Sequence, residues 1–311
     1  MKRFRVRWKG MFLGITIVAF IACQAQNVFA WGAATHAYVA DRVSEKNGIF
    51  RANEIYGSNA PDIFNNLFMN PDYVSYFGDE THYEPGKVWN EAKSKPAKAL
   101  ARGFYGHNEF AGGDSTAHNG GYVIQKAAVL AQILQAVPQF TALGIDEGAV
   151  LDVAHFLVEY GIDLLVVQQL DPQIGQKIME SAIRRNPQLP TLLVRAYAKG
   201  FSESTGTGYH AVSRFIKQAE KEFRESQVYY GYALTQDLSV AAGLISEQIA
   251  EVAGVYLAAS ENPLPEGIDI TPLIAFALDQ SMALCSDDFA DAIENTVETV
   301  EGHLATQGID Y

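Results

Sequence analysis

From Val150 to Leu170 the chain is apolar on almost every helical face, with Leu151, Phe156, Leu157, Ile162 and Leu165 spread around the turn. Such a segment has to be buried as a core helix. Yet His155, Glu159 and Asp163 interrupt it at every fourth residue, a spacing that stacks them on one face. A buried carboxylate without a partner costs several kcal/mol, so this stripe has to be answered by a cation. A salt-bridged core histidine is the ordinary explanation of a lone His. Three stacked groups beginning His-x3-Glu suit zinc better, because two ligands one turn apart can reach one ion.

The rest of the chain is built around that helix. Apolar residues recur at helical spacing over 35–46, with His36, Val39, Ala40 and Val43 on one face and Gly48 as a stop. The pattern resumes over 96–118, 121–136, 146–170, 173–184, 189–199, 207–233, 236–258, 271–284 and 286–306. Thr271-Pro272 and Ser286-Asp287-Asp288 read as helix starts, a cap residue followed by proline or acids. Strand-like alternation is almost absent, and the expected class is all-α. Residues 51–90, rich in Asn, Pro, Gly, Tyr and Asp, read as a long structured loop of the kind that carries function.

The first thirty residues read as an export signal: a basic leader with Lys2, Arg3, Arg5, Arg7 and Lys9, an apolar run from Met11 to Cys23, and Val28-Phe29-Ala30 before the cut. The run is short of the roughly 20 apolar residues that a membrane span needs. Lipidation at Cys23 is the alternative, with Phe20 unfavourable three residues before it. The expected product is therefore secreted or periplasmic and begins at Trp31. Losing the five leader cations and no acid moves the net charge from −13 to −18. So acidic a chain is repelled by phosphate backbones and anionic bilayers, which argues against tight nucleic-acid binding and leaves room for transient membrane-surface contact. One cysteine, Cys285, remains after the cut, so no internal disulfide is available. Residues 31–170 are expected to form the metal-binding core, and 171–311 a further set of helices packed on it as one domain.

A second polar stripe is Asp114-Ser-Thr-Ala-His118, four apart on an alanine-rich helix. His107 lies seven residues before Asp114, on nearly the same helical face. Asp62 (in Ala60-Pro61-Asp62) and His82 (in Thr81-His82-Tyr83) come from the expected loop. Five of the seven histidines belong to this set; His210 and His303 fall in polar segments and read as solvated.

With these motifs assembled, the chain from Trp31 to about Asp163 resembles the zinc-dependent phospholipase C family, which shares its fold with the S1/P1 nucleases. The likeness rests on Trp31-Gly-Ala-Ala-Thr-His36, Gly57-Ser-Asn-Ala-Pro-Asp62, Thr81-His82, Gly106-His107, Asp114-x3-His118 and His155-x3-Glu159. It implies a multi-helix phospholipase C / P1 nuclease-like domain with additional C-terminal helices, an exported chain and about three zinc ions. It further implies that one zinc is held by His118, His155 and Glu159. A close pair would be held by Asp62, His82 and His107 on one ion and by Trp31 (through its free amine and carbonyl) and His36 on the other, with Asp114 bridging. Asp62 would double as proton acceptor, and Asp163 would stand behind the ligands, orienting His155 or a water.

The chain also departs from the family pattern. His107 precedes Asp114 by seven residues instead of four, and Phe110 occupies the expected place. Seven residues of ideal helix rise about 10.5 Å against about 6 Å for four, so Gly112-Gly113 is expected to break the helix and relieve the strain. Ala34 and Ile63 stand where choline-selective relatives carry an acid and a tyrosine. The activity implied is hydrolysis of a phospholipid or another small phosphodiester. A single-strand nuclease of the S1/P1 type, or a non-catalytic exported binder with structural zinc, are the alternatives.

Overall fold

The computed structural model describes residues 31–64, 71–118, 121–145, 147–259 and 268–311. The expected leader, residues 1–30, lies outside the described residues. Helices α1 (Ala33–Val43) and α2 (Ile49–Asn59) come first, and a 3-10 turn over Ala60–Phe64 continues α2. Then come α3 (Pro71–Tyr83), α4 (Gly86–Glu91), α5 (Lys95–His107) and the short α6 (Gly113–Ala117). Next are α7 (Tyr122–Gln135), α8 (Pro138–Thr141) and α9 (Glu147–Leu165), which runs into a π-helical turn over Val166–Leu170. Completing the chain are α10 (Ile174–Arg184), α11 (Leu189–Thr205), α12 (Tyr209–Leu234), α13 (Leu238–Ala259), α14 (Thr271–Cys285) and α15 (Phe289–Thr306). No strand occurs among the described residues, and the class is all-α. None of the described helices is long and apolar enough to cross a membrane.

Two apolar clusters organise these helices. One joins α1, α7, α9, α14 and α15 around Leu130, Leu157, Ile162 and Leu278. The other joins the 3-10 turn, α3, α4, α5 and α11 around Phe77, Phe104, Tyr197 and Phe201. α10 and α12 feed both, through Ile178 and Leu234 on one side and Ala182 and Phe223 on the other. Helices after residue 170 pack directly on those before it: α10 on α1 and α2, α14 on α7 and α9, and α15 on α1, α5 and α6.

The segment 51–90 is mostly helical where it is described, which corrects the expected loop. Its polar residues do not punctuate a loop; they are buried in tertiary contacts. Asn53 Oδ1 accepts from the Asn186 backbone N–H at 2.6 Å, and Glu54 pairs with Arg102 at 2.6 Å. Gly57 and Gly103 let α2 and α5 touch backbone to backbone, since a Cβ on Gly57 would collide with the Leu100 carbonyl and one on Gly103 with the Glu54 carbonyl. Packing here overrides a weak local propensity. Gly48 likewise opens α2 instead of closing α1, which ends at Val43.

The expected helix over 96–118 is broken after His107. Asn108 turns out of the helix, and its Oδ1 accepts from the backbone N–H groups of Phe110 and Ala111 at 2.9 and 3.1 Å, an Asx-type turn. Gly112 sits so close to Asn108 N and Gly106 O that a side chain there would overlap both. Helix then restarts at Gly113.

Candidate metal centre

Both apolar clusters contribute to one polar centre. His36 comes from α1, Asp62 from the 3-10 turn, His82 from α3, His107 from the end of α5 and Asp114 from α6. Asp114 is the hub. Its Oδ1 lies 3.2 Å from His36 Nε2, and its Oδ2 lies 2.9 Å from His107 Nε2 and 3.4 Å from His82 Nε2. Asp62 Oδ1 faces the same two nitrogens, 3.4 Å from His82 and 3.7 Å from His107. The helix break is what brings His107 here, with its ring stacked on His36 at 4.1 Å between centroids. Phe110, on the break, is 66% exposed and edge-on to Tyr83, away from the ligand cluster.

The proton positions follow from the acceptors. His82 Nδ1 lies 2.9 Å from the Gly78 carbonyl, and His107 Nδ1 lies 2.7 Å from the Ser58 carbonyl. A carbonyl only accepts, so each Nδ1 carries the hydrogen, and each ring, when neutral, presents its Nε2 lone pair to the centre. Those two Nε2 atoms are 3.1 Å apart. Lone pairs that close repel unless a proton or a cation lies between or beside them. His36 Nε2 and both Asp114 oxygens are buried and make no hydrogen bond, despite neighbours at such short range. Imidazole nitrogens and carboxylates gathered in this way form the donor set that suits zinc and similar ions.

The charges tell the same story. Burial lowers His107, but Asp114 and Asp62 override it and raise it to about 9. Burial likewise opposes the charged form of His82, and the Asp62 hydrogen bond reverses the effect. His36 is lowered, by burial and then by His107. Burial would raise Asp114, yet His107 and His36 hold it far below the usual carboxylate range. Asp62 is held below its ordinary value by His107 and His82 against the effect of burial. The centre has a strong demand for positive charge.

Beside it stands a second group. His155 Nε2 lies 2.9 Å from Glu159 Oε1, and the His118 and His155 rings are 5.6 Å apart. Burial, reinforced by His118, lowers His155 to about 3, so it is a neutral ring at pH 7. His118 also gathers with Glu109 and Asp114, one donor atom of each lying within 4.8 Å of the others. Glu109 escaped the sequence reading. Its one signal was Gly112-Gly113, because a break there folds 108–111 back toward α6.

Asp163 has a role other than the expected one. Its carboxylate accepts from the backbone N–H groups of Ala34 and Thr35, from Thr35 Oγ1 (each at 2.8 Å) and from Tyr230 OH at 2.7 Å. It therefore seats the first turn of α1, immediately before His36, instead of orienting His155. Burial raises it to about 6 against the pull of these donors, which leaves it ionised at pH 7. The Trp31 ring is buried, donates through Nε1 to Thr116 Oγ1 at 2.8 Å and stacks on Tyr122. His210 is exposed, whereas His303 is half-buried against Tyr105; both lie apart from the centre. Among the described residues, donor atoms converge in three triples: His36–His107–Asp114, Asp62–His82–His107 and Glu109–Asp114–His118.

No family model matches the chain, and neither a curated protein nor a solved structure matches it.

Proposed function

We propose that this chain is an exported zinc-dependent phosphodiester hydrolase, acting as a phospholipase C that releases diacylglycerol and a phosphorylated head group. The observation that carries the reading is Asp114, buried, with three histidine Nε2 atoms at 2.9–3.4 Å around its two oxygens. A carboxylate with ligand nitrogens around both of its oxygens is placed to serve a close pair of hydrolytic metal ions. In this reading Asp62, His82 and His107 would hold one ion and His36 the other, with Asp114 shared between the two groups. Trp31 would complete the second site through its carbonyl and through the amine that cleavage after Ala30 would free. His118, His155 and Glu159 would hold a third ion.

Zinc in these positions supplies Lewis acidity toward the phosphoryl oxygens and toward the attacking water. The protein's own residues do the rest. Asp62 differs from the other members of the cluster in being a quarter exposed, which gives a substrate-side water access to its carboxylate. Its oxygens accept the proton as that water adds to phosphorus, and the proton is returned to the departing diacylglycerol oxygen. His82 and His107, pinned through Nδ1 to the Gly78 and Ser58 carbonyls, keep their Nε2 atoms in place through the cycle.

The test combines metal analysis with turnover. The chain beginning at Trp31 is expected to carry about three zinc ions and to cleave phospholipid dispersions, with chelator abolishing turnover. His107→Ala is expected to lose metal and activity together. Faster cleavage of single-stranded DNA than of any phospholipid would transfer the chain to the nuclease branch. A single zinc, unaffected by Asp114→Ala, would replace the hydrolase with a zinc-stabilised binder.

A further inference from the structure

Glu109 is 4% exposed and sits on the five-residue break between α5 and α6. Its two ends reach in different directions. The backbone N–H donates to the His82 carbonyl at 3.1 Å, and the side-chain Oε1 lies 2.6 Å from His118 Nδ1. A carboxylate can only accept in that contact, so the hydrogen sits on His118 Nδ1 and the lone pair on Nε2. His118 Nε2 is itself buried and makes no hydrogen bond, and its ring lies 5.6 Å from that of His155, tilted against it. An imidazole can expose either nitrogen; here the carboxylate decides which one, and it makes that nitrogen more basic.

We infer that Glu109 is a positioning residue for metal binding, which fixes His118 in its Nδ1–H tautomer and clasps the His118 group to the His82 group. The inference rests on the zinc-hydrolase reading above. It also gives the break in α5 a purpose: an unbroken helix would carry residue 109 past the centre, whereas the Asn108 turn brings its carboxylate back onto α6. Glu109 has a competing role as a ligand in its own right, since its oxygens lie within 4.8 Å of donor atoms of Asp114 and His118. The two roles differ in what glutamine does. A glutamine oxygen still accepts from Nδ1–H, but it is neutral and a poor ligand.

The experiment uses the full chain from Trp31, labelled with 15N, as wild type, Glu109→Gln and Glu109→Ala. Long-range 1H–15N correlation reads the His118 tautomer, and competition with a chromogenic chelator reads zinc affinity ion by ion. The expected result is Nδ1–H His118 in wild type and Glu109→Gln, with a mixture of tautomers in Glu109→Ala. Zinc affinity at the His118 site is expected to fall about 10–100-fold in Glu109→Ala and clearly less in Glu109→Gln. An unchanged tautomer with affinity within twofold in Glu109→Ala would overturn the inference. So would a glutamine variant that loses as much zinc affinity as the alanine one, which would make Glu109 a ligand. If Glu109→Ala does not fold, an Nε2–H His118 in the wild type overturns the inference without it. A wild type that binds no zinc would sink the hydrolase reading, while its His118 tautomer still decides whether Glu109 sets the ring.

Discussion

His107 Nδ1 lies 2.7 Å from the carbonyl oxygen of Ser58, so the last residue of α5 is fastened to the last turn of α2. The contact is possible because the two helices meet at Gly57 and Gly103 with no side chain between them. A crossing chosen for close packing thereby sets which nitrogen His107 turns toward the candidate metal cluster, and damage to the crossing should reach that cluster.

Gly103→Ala is expected to destabilise the protein by about 1–3 kcal/mol or more, since the new methyl overlaps the Glu54 carbonyl and the helices have to move apart. Metal content should fall with it, because His107 moves off Ser58. Gly302→Ala is the control: a Cβ there meets nothing within 4 Å, and in α15 the change should stabilise by about 1 kcal/mol. Urea unfolding of both variants is the measurement, and equal effects would disprove the argument from close approach.

The helical class and the burial of α9 could be read from the sequence, because an apolar surface on every face leaves a segment no other place. His155, Glu159 and Asp163 stood out for the same reason. What stayed hidden depends on partners far away along the chain. α2 looks like a loop because Asn53, Gly57, Ser58 and Asn59 are poor helix formers, and it is helical because α5 packs on Gly57 and Ser58 while Asn53 pairs with the Asn186 backbone. Asp163 looked like part of the metal stripe, yet its partners are Ala34, Thr35 and Tyr230, which no local spacing connects to it. Glu109 was concealed by the helix break, which makes helical periodicity meaningless between His107 and Asp114.

Removal of metal is expected to lower the melting temperature substantially. The centre gathers two carboxylates, one of them buried, and three buried imidazoles, and an ion bound only by the folded chain stabilises it by mass action. With free zinc at about a thousandfold over its dissociation constant the effect is about 4 kcal/mol, or roughly 8–16 °C for a chain of this size. Scanning calorimetry with and without chelator checks it, with zinc restoring the loss. A change below about 2 °C would mean that the centre is balanced by protons alone.

Asp163 and Tyr230 predict a graded pair of variants. Tyr230→Phe removes one of four donors from the carboxylate and should cost about 1.5–3 kcal/mol, as for a hydrogen bond to a charged group. Asp163→Ala strands the Ala34 and Thr35 amides in a buried site and should cost more, about 3–5 kcal/mol. It should also loosen zinc on the His36 side, since the first turn of α1 loses its seat. Zinc retained at wild-type affinity in an Asp163→Ala variant that still folds would show that α1 is positioned by its apolar face alone.

Cys285 supplies a test that is independent of the metal. The thiol is fully buried at the end of α14, and burial raises it from 9.0 to about 11. At pH 8 it should therefore resist a disulfide reagent in the native chain and react once per chain beginning at Trp31 after denaturation, since the thiolate is the reactive form. The sign of the stability effect follows from which state holds the proton. Below pH 9 both folded and unfolded chains keep it, and the thiol contributes no slope. Between pH 9 and 11 the unfolded chain releases the proton while the folded chain keeps it, so stability falls as pH rises, by about 1.4 kcal/mol per unit and about 2.7 kcal/mol in all. Tyrosines titrate in the same range, so the quantity to compare is the slope of unfolding free energy against pH in wild type and Cys285→Ala. The alanine variant should start lower, because a cavity replaces the sulfur, and lose stability less steeply above pH 9. Parallel slopes, or rapid native-state labelling at pH 8, would show that the thiol reaches solvent in the folded chain.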